Sequence, residues 1–232
     1  MPEYVEYEHT PHTESEFIQQ IVEEISNSKL YRNPLHVATY PVGVNSRMET
    51  LEKLLDIESN DVRMIGISGI GGIGKTTIAK AIYNSISYEF KAKSFLENVR
   101  ERSKTHIGII HLQEELLSNI SQNKILKIET LLRQCDCFAS GSRIIMTTRY
   151  KSLLVKRNGL STYDYGVKEL NEYEATKLFR NHAFLDNKLY EDYLELEKKA
   201  IHYAKGLPLA LKVMGADLCG KTINEWKDAL DY

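Results

Sequence analysis

Gly69-Ile70-Gly71-Gly72-Ile73-Gly74-Lys75-Thr76 follows the spacing G-x-x-x-x-G-K-T, a pattern able to hold phosphate. The glycines let the backbone curl until successive N–H groups point inward at phosphate oxygens. Lys75 is placed to reach the outer phosphates, and the Thr76 hydroxyl to complete the shell of a Mg2+ ion. A helix starting here would set its positive N-terminus beneath the anion. The same glycines also spell G-x-G-x-x-G, the dinucleotide fingerprint. That fingerprint makes no use of a Lys-Thr pair, and Glu97, the acid that could hold a ribose, falls mid-strand and far downstream. The phosphate loop is preferred to an NAD site.

A second stretch, Gly141-Ser142-Arg143-Ile144-Ile145-Met146-Thr147-Thr148-Arg149, reads as a buried strand ending in polar residues. It puts Arg149 at the carboxyl edge of a sheet, where open α/β sheets bind ligands. Arg149 is a candidate phosphate sensor, with a solvated strand-end arginine as the alternative. Cys135-x-Cys137 has the wrong spacing for a zinc knuckle, and the third cysteine, Cys219, is remote. The seven histidines show no metal spacing.

The surrounding pattern supplies elements to position these groups. Residues 62–68 are a short apolar run expected to form a buried strand, and residues 76–88 return to helix spacing with Ile78, Ala79, Ile82 and Ile86 on one face. Upstream, residues 13–29 read as a helix opened by Thr13 and Glu16, residues 31–44 as an extended connector, and Ser46 with Glu49 as the start of a further helix. Downstream, residues 94–99 are expected as a strand, 110–120 and 125–133 as helices, 142–148 as a strand and 163–168 as another. Beyond about residue 170 the pattern is helical only. Asn171 with Glu174 and Thr222 with Glu225 are capping boxes, residues 190–204 read as a helix ended by Gly206, and Pro208 suits a first helical turn. Trp226 is assigned to the core. Strands alternating with helices, then helices alone, indicate an α/β domain followed by a small helical one.

Composition narrows the class. In 232 residues, 42% are hydrophobic and 27% charged, and 30 Lys and Arg face 32 Asp and Glu. A net charge of −2 gives no field for polyanions, so nucleic acid is not an expected partner. The apolar stretches fall short of the ~18 residues of a membrane span, and the acidic first residues do not read as a signal peptide. The expectation is a soluble, cytoplasmic protein.

The two stretches together resemble the NB-ARC nucleotide-binding module of plant disease-resistance proteins, of the subclass with an N-terminal TIR domain and leucine-rich repeats. Phe95-Leu96-Glu97-Asn98-Val99-Arg100, Lys168-Glu169-Leu170-Asn171 and Gly206-Leu207-Pro208-Leu209-Ala210-Leu211 match further motifs of that family in order. The resemblance runs from about Glu14 to the C-terminus. It implies an ADP- or ATP-dependent switch in defence signalling. On this chain it implies that Gly69, Gly71, Gly72, Gly74, Lys75, Thr76 and Thr77 cradle the phosphates. Arg149 would act as the sensor arginine, Pro208 would contact base and ribose, and Val42 and Gly43 would form the adenine-side linker. Expected domains are an arm, helix and linker over 1–44, a P-loop nucleotide-binding domain over 45–168, and a helical ARC-like subdomain over 169–232. Full-length resistance-protein relatives are the expected protein partners.

The chain departs from that family at one place. A P-loop ATPase needs a strand ending in an acid to hold Mg2+ and orient water. Between Asp61 and Asp164 the only aspartate is Asp136, with no strand before it. The family's acidic strand, which lies beside the P-loop strand, is expected to be missing near residue 127. Hydrolysis should then be weak or absent and the Mg2+ site incomplete. The P-loop strand should be left with an unpaired edge unless the remaining strands close ranks. The alternatives are an active ATPase or small kinase, and a fragment or decoy that pairs with full-length relatives without nucleotide. The TIR domain, the later Met-His-Asp subdomain and the repeats have no counterpart in these residues.

Overall fold

The computed structural model describes residues 34–120, 138–154, 161–184 and 191–231. The chain divides into two units, Met1–Leu35 and His36–Tyr232, and every element below belongs to the second. The expected helices over 13–29 and 125–133, and Asp136, Cys135 and Cys137, lie outside the described residues.

A parallel sheet of three strands forms the centre of the α/β part. β1 (Arg63–Ser68) lies between β2 (Arg143–Thr148) and β3 (Ser161–Gly166), in the order β2-β1-β3. Arg63 stands opposite Arg143 on one side and Ser161 on the other, and Ser68 opposite Thr148 and Gly166. Of the two outcomes expected for the edge of β1, the second holds: the remaining strands close ranks. β3 occupies the flank beside β1, and both rows of β1 backbone groups have ladder partners, as buried amides require. Ile65 and Ile67 are fully buried, as befits a central parallel strand covered on its faces.

α1 (Val44–Leu55) and α2 (Lys75–Ile86) supply the apolar cover. Leu51 and Leu55 of α1 and Ile78, Ala79, Ile82 and Ile86 of α2 join Ile65, Ile67 and Val167 in one core. α1 begins two residues earlier than the Ser46–Glu49 signal indicated, because Gly43 at φ +70° serves as its N-cap. Ser46 Oγ instead donates back to the Gly43 carbonyl at 3.4 Å. Arg143 enters from β2 and donates to the carbonyls of Leu55 (2.6 Å), Asp61 (2.7 Å) and Ser59 (2.7 Å), tying the α1–β1 connection to the sheet. Burial pulls its guanidinium below the ordinary value, and the nearby Asp61 and Asp56 partly offset this.

The strand expected over 94–99 is not formed. Asn98 takes a left-handed conformation (φ 53°) and caps a four-residue helix, α3 (Val99–Arg102). Phe95 gains burial by an edge-to-face contact with Tyr83 of α2, at 5.4 Å between centroids, and Lys80 pairs with Glu97 at 2.6 Å. Side-chain contacts to α2 thus hold the segment where no ladder does. α4 (His106–Ile120) follows, starting four residues before the expected position.

The rest of the described chain is helical: α5 (Glu172–Ala183), α6 (Leu194–Ala204), α7 (Pro208–Leu218) and α8 (Ile223–Leu230). Both capping boxes form, Asn171 with Glu174 on α5 and Thr222 with Glu225 on α8. Pro208 occupies the first turn of α7, where its missing N–H goes unneeded. These helices enclose a second core around Phe179, Leu211 and Trp226. Trp226 is buried, and its indole N–H donates to the Leu218 carbonyl at 2.9 Å. Parallel strands with packed helices give the P-loop NTPase type of α/β fold.

Candidate functional site

β1 runs straight into the glycine loop, which ends at Gly74, the N-cap of α2. Gly74 holds φ +96° and Gly72 φ +81°, conformations that an L side chain adopts only with strain. The curl brings the Gly69 and Ile70 carbonyls to the Lys75 ammonium, which donates to them at 2.8 and 2.7 Å. Burial lowers the affinity of Lys75 for its proton, and the neighbouring positive charge of Arg149 lowers it further. The negative charge of an anion seated on the loop would oppose this lowering. Thr76 is exposed in the first turn of α2, and Thr77 behind it is half-buried.

Arg149 lies just past the carboxyl end of β2, as the strand pattern indicated. A Cβ placed on Gly71 would sit 3.3 Å from its Nη2, so the guanidinium lies across the loop at that residue. Gly71 thus leaves room for the arginine.

Next to the loop is a cavity of about 460 Å³, a size suited to a small-molecule ligand. Gly72, Gly74, Lys75, Thr76 and Thr77 form one wall, and Val42 and Gly43 belong to another. Pro208 and Leu209 at the start of α7 form a third, with the Leu209 N–H donating to the Gly72 carbonyl at 3.2 Å. The structure therefore gathers eight of the eleven residues singled out from sequence around one cavity. Gly69, Gly71 and Arg149 are not in its lining but are tied to it through Lys75 and the loop.

Sequence reasoning missed part of the lining. Arg47 comes from α1, Lys212 from α7, and Leu178 and His182 from α5. His182 packs edge-on to Tyr40 at 5.0 Å. Burial, then the Lys212 charge, holds its imidazole below the ordinary value. No local pattern marks these residues, because each becomes a wall only when helices distant in sequence meet.

The charged side chains that line the cavity are of one sign, with Arg47 paired to Glu174 and Lys80 to Glu97 behind it. Arg47, Lys75, Lys80 and Lys212 line it, and among the described residues no Asp or Glu does. No cluster of three or more metal-ligating side chains occurs among the described residues either. The acid that β3 brings beside β1 is Asp164, opposite Gly66 and thus below the loop. Its carboxylate accepts from Ser68 Oγ at 2.6 Å and from Lys151 Nζ at 2.9 Å. Burial would raise its proton affinity, but those two partners hold it below the ordinary value. Both Asp164 oxygens have partners, and Asp164 is not among the residues that line the cavity. The described residues fit a phosphate chain and do not complete a Mg2+ site.

Comparison with known proteins identifies the segment that carries the loop. Residues 44–134 match the NB-ARC domain. The chain is 39% identical over 245 residues to disease resistance protein RPV1 of Vitis rotundifolia, using 90% of this chain and 17% of that protein. It is 40% identical over 250 residues to RUN1 from the same plant (94% and 18%). It is 35% identical over 258 residues to TMV resistance protein N of Nicotiana glutinosa (95% and 22%). Residues 44–134 thus match an NB-ARC domain, and the chain is similar over most of its length to plant disease-resistance proteins. It spans about a fifth of the length of these relatives. Each alignment is longer than the chain's 232 residues while using only part of them, so the relatives hold residues within the aligned region that this chain lacks. Among the described residues no helix is long and apolar enough to cross a membrane.

Proposed function

We propose that this chain is the adenine-nucleotide-binding module of a plant immune receptor of the TIR-containing class, a switch that holds ADP or ATP in defence signalling with little or no hydrolysis. The observation that carries the reading is the cavity itself. A glycine loop, a lysine bonded to loop carbonyls and the first turn of α7 enclose a cationic space at a helix N-terminus. Such a space suits a phosphate chain with an apolar-ended ligand behind it. Gly69, Gly71, Gly72, Gly74, Lys75, Thr76 and Thr77 take the phosphates, and Arg149 senses them across Gly71. Pro208, Val42 and Gly43 border the nucleoside. Residues 45–168 are the nucleotide-binding domain, 169–232 its helical ARC-like subdomain, and 1–44 the arm and linker. Its partners are the nucleotide and full-length resistance-protein relatives, and its place is the cytoplasm.

Weak hydrolysis follows from the charge pattern, since among the described residues no carboxylate lines the cavity to orient water or complete a metal shell at Thr76. The longer alignments of the relatives are in keeping with the loss of an internal segment, which we take to be the acidic strand. Calorimetric titration with ADP tests the reading. Saturable binding near one equivalent is expected, and no heat at millimolar ADP would reject it.

A further inference from the structure

Arg47, the fourth residue of α1, links three separate segments. Its Nη1 donates to the Gly43 carbonyl at 2.6 Å and to Glu174 Oε1 at 3.1 Å. Its Nη2 donates to the carbonyls of Lys168 (3.3 Å) and Glu169 (3.1 Å) and to Glu174 Oε2 (3.3 Å). The two side chains are only 12% and 15% exposed, so the pair is shielded from solvent screening. The Glu174 carboxylate also accepts the Asn171 N–H at 3.2 Å, which closes the capping box of α5. One guanidinium thus ties the turn before α1, the β3–α5 connection and the start of α5.

The turn it holds is a cavity wall. Arg47 and Gly43 both line the space beside the glycine loop. Gly43 runs so close to the ion pair that a Cβ there would fall 2.6 Å from both Arg47 Nη1 and Glu174 Oε1. If the loop and Lys75 take the phosphates, the remainder of the ligand extends toward the wall that contains Val42 and Gly43. A planar fork of five donors can serve a carboxylate and three carbonyls together, whereas an ammonium cannot.

We propose that Arg47, through Glu174, is a positioning residue that fixes the Val42–Gly43 turn as the nucleoside wall, setting affinity for the nucleoside half of the ligand and not for its phosphates. This rests on the nucleotide-binding reading above. The test titrates ADP and inorganic pyrophosphate separately into the wild-type chain, Arg47→Lys and Glu174→Gln. Arg47→Lys keeps the charge, so a general electrostatic effect on phosphate is avoided. Arg47→Lys is expected to weaken ADP about tenfold or more, with pyrophosphate affinity changed by less than about twofold. Glu174→Gln, close in shape, should show a smaller loss in the same direction, and it carries the comparison alone if Arg47→Lys does not fold. Equal losses for both ligands, or no loss of ADP affinity, would overturn the positioning role. A wild-type chain that binds pyrophosphate but not ADP would instead overturn the nucleotide reading beneath it.

Discussion

Gly72→Ala probes the closure of the cavity by α7 more sharply than any other single change. Two independent costs meet at this residue. At φ +81° an L side chain costs about 1–2 kcal/mol. The added Cβ would also lie 2.8 Å from Leu209 Cβ, an overpacking that costs about 1–3 kcal/mol. The total, about 2–5 kcal/mol, corresponds to a melting temperature lower by roughly 4–20 °C in a chain of this size. The two costs can be separated. Leu209 is 53% exposed, so Leu209→Gly alone should cost about 1 kcal/mol, the ordinary cost of glycine in a helix. In Gly72→Ala/Leu209→Gly, which removes the Leu209 Cβ, the steric cost should vanish and the backbone cost remain, leaving a coupling of about 1–3 kcal/mol in the cycle. Denaturant unfolding of the four proteins gives each value, and ADP titration of the same four follows the Gly72–Leu209 hydrogen bond. A Gly72→Ala protein as stable as wild type, or a coupling near zero, would show that α7 does not rest on the loop.

Two further outcomes follow from the charges. Because the described cavity lining is cationic and carboxylate-free, removing Mg2+ with a chelator should change ADP affinity by less than about threefold; a tenfold dependence on Mg2+ in calorimetry would show that an acid outside the described residues completes the site. The Asp164 carboxyl sits below its ordinary 3.8 in the folded chain, so its contribution is fully present above that pH and is lost as pH falls through the folded value. Asp164→Asn should therefore flatten the acid side of the stability profile, read by urea unfolding between pH 5 and pH 2, and an unchanged slope would remove Ser68 and Lys151 as its partners.

How much of this was legible in the sequence differs by residue. The loop from Gly69 to Thr76 was readable because its backbone geometry admits only glycine at fixed places and its chemistry needs Lys and Thr at fixed offsets. The capping boxes at Asn171 and Thr222 were readable for the same local reason, and Trp226 because its apolar stripe points inward. Sequence could not show that β3 would pair with β1 beside the loop, since strand pairing is decided by which edges remain open after the chain collapses. The strand expected over 94–99 failed because Asn98 turns left-handed and Phe95 finds its burial against Tyr83. Arg47 was invisible for a related reason. Its partners Glu174, Lys168 and Glu169 lie more than a hundred residues away in sequence, and nothing near Arg47 signals them. Leu209 reads as an ordinary helix residue until its N–H is found on Gly72.

Whether this loop and cavity hold an adenine nucleotide through Lys75 is decided by thermal unfolding of wild type and Lys75→Ala with and without ADP. At 100 times the dissociation constant, ADP should stabilise the wild type by ~2.7 kcal/mol, or roughly 5–10 °C. Lys75→Ala should unfold cooperatively at a similar temperature in the absence of ADP and show little or no shift with it. A cooperative wild-type transition indifferent to ADP, or an equal shift in Lys75→Ala, would refute nucleotide binding through this lysine.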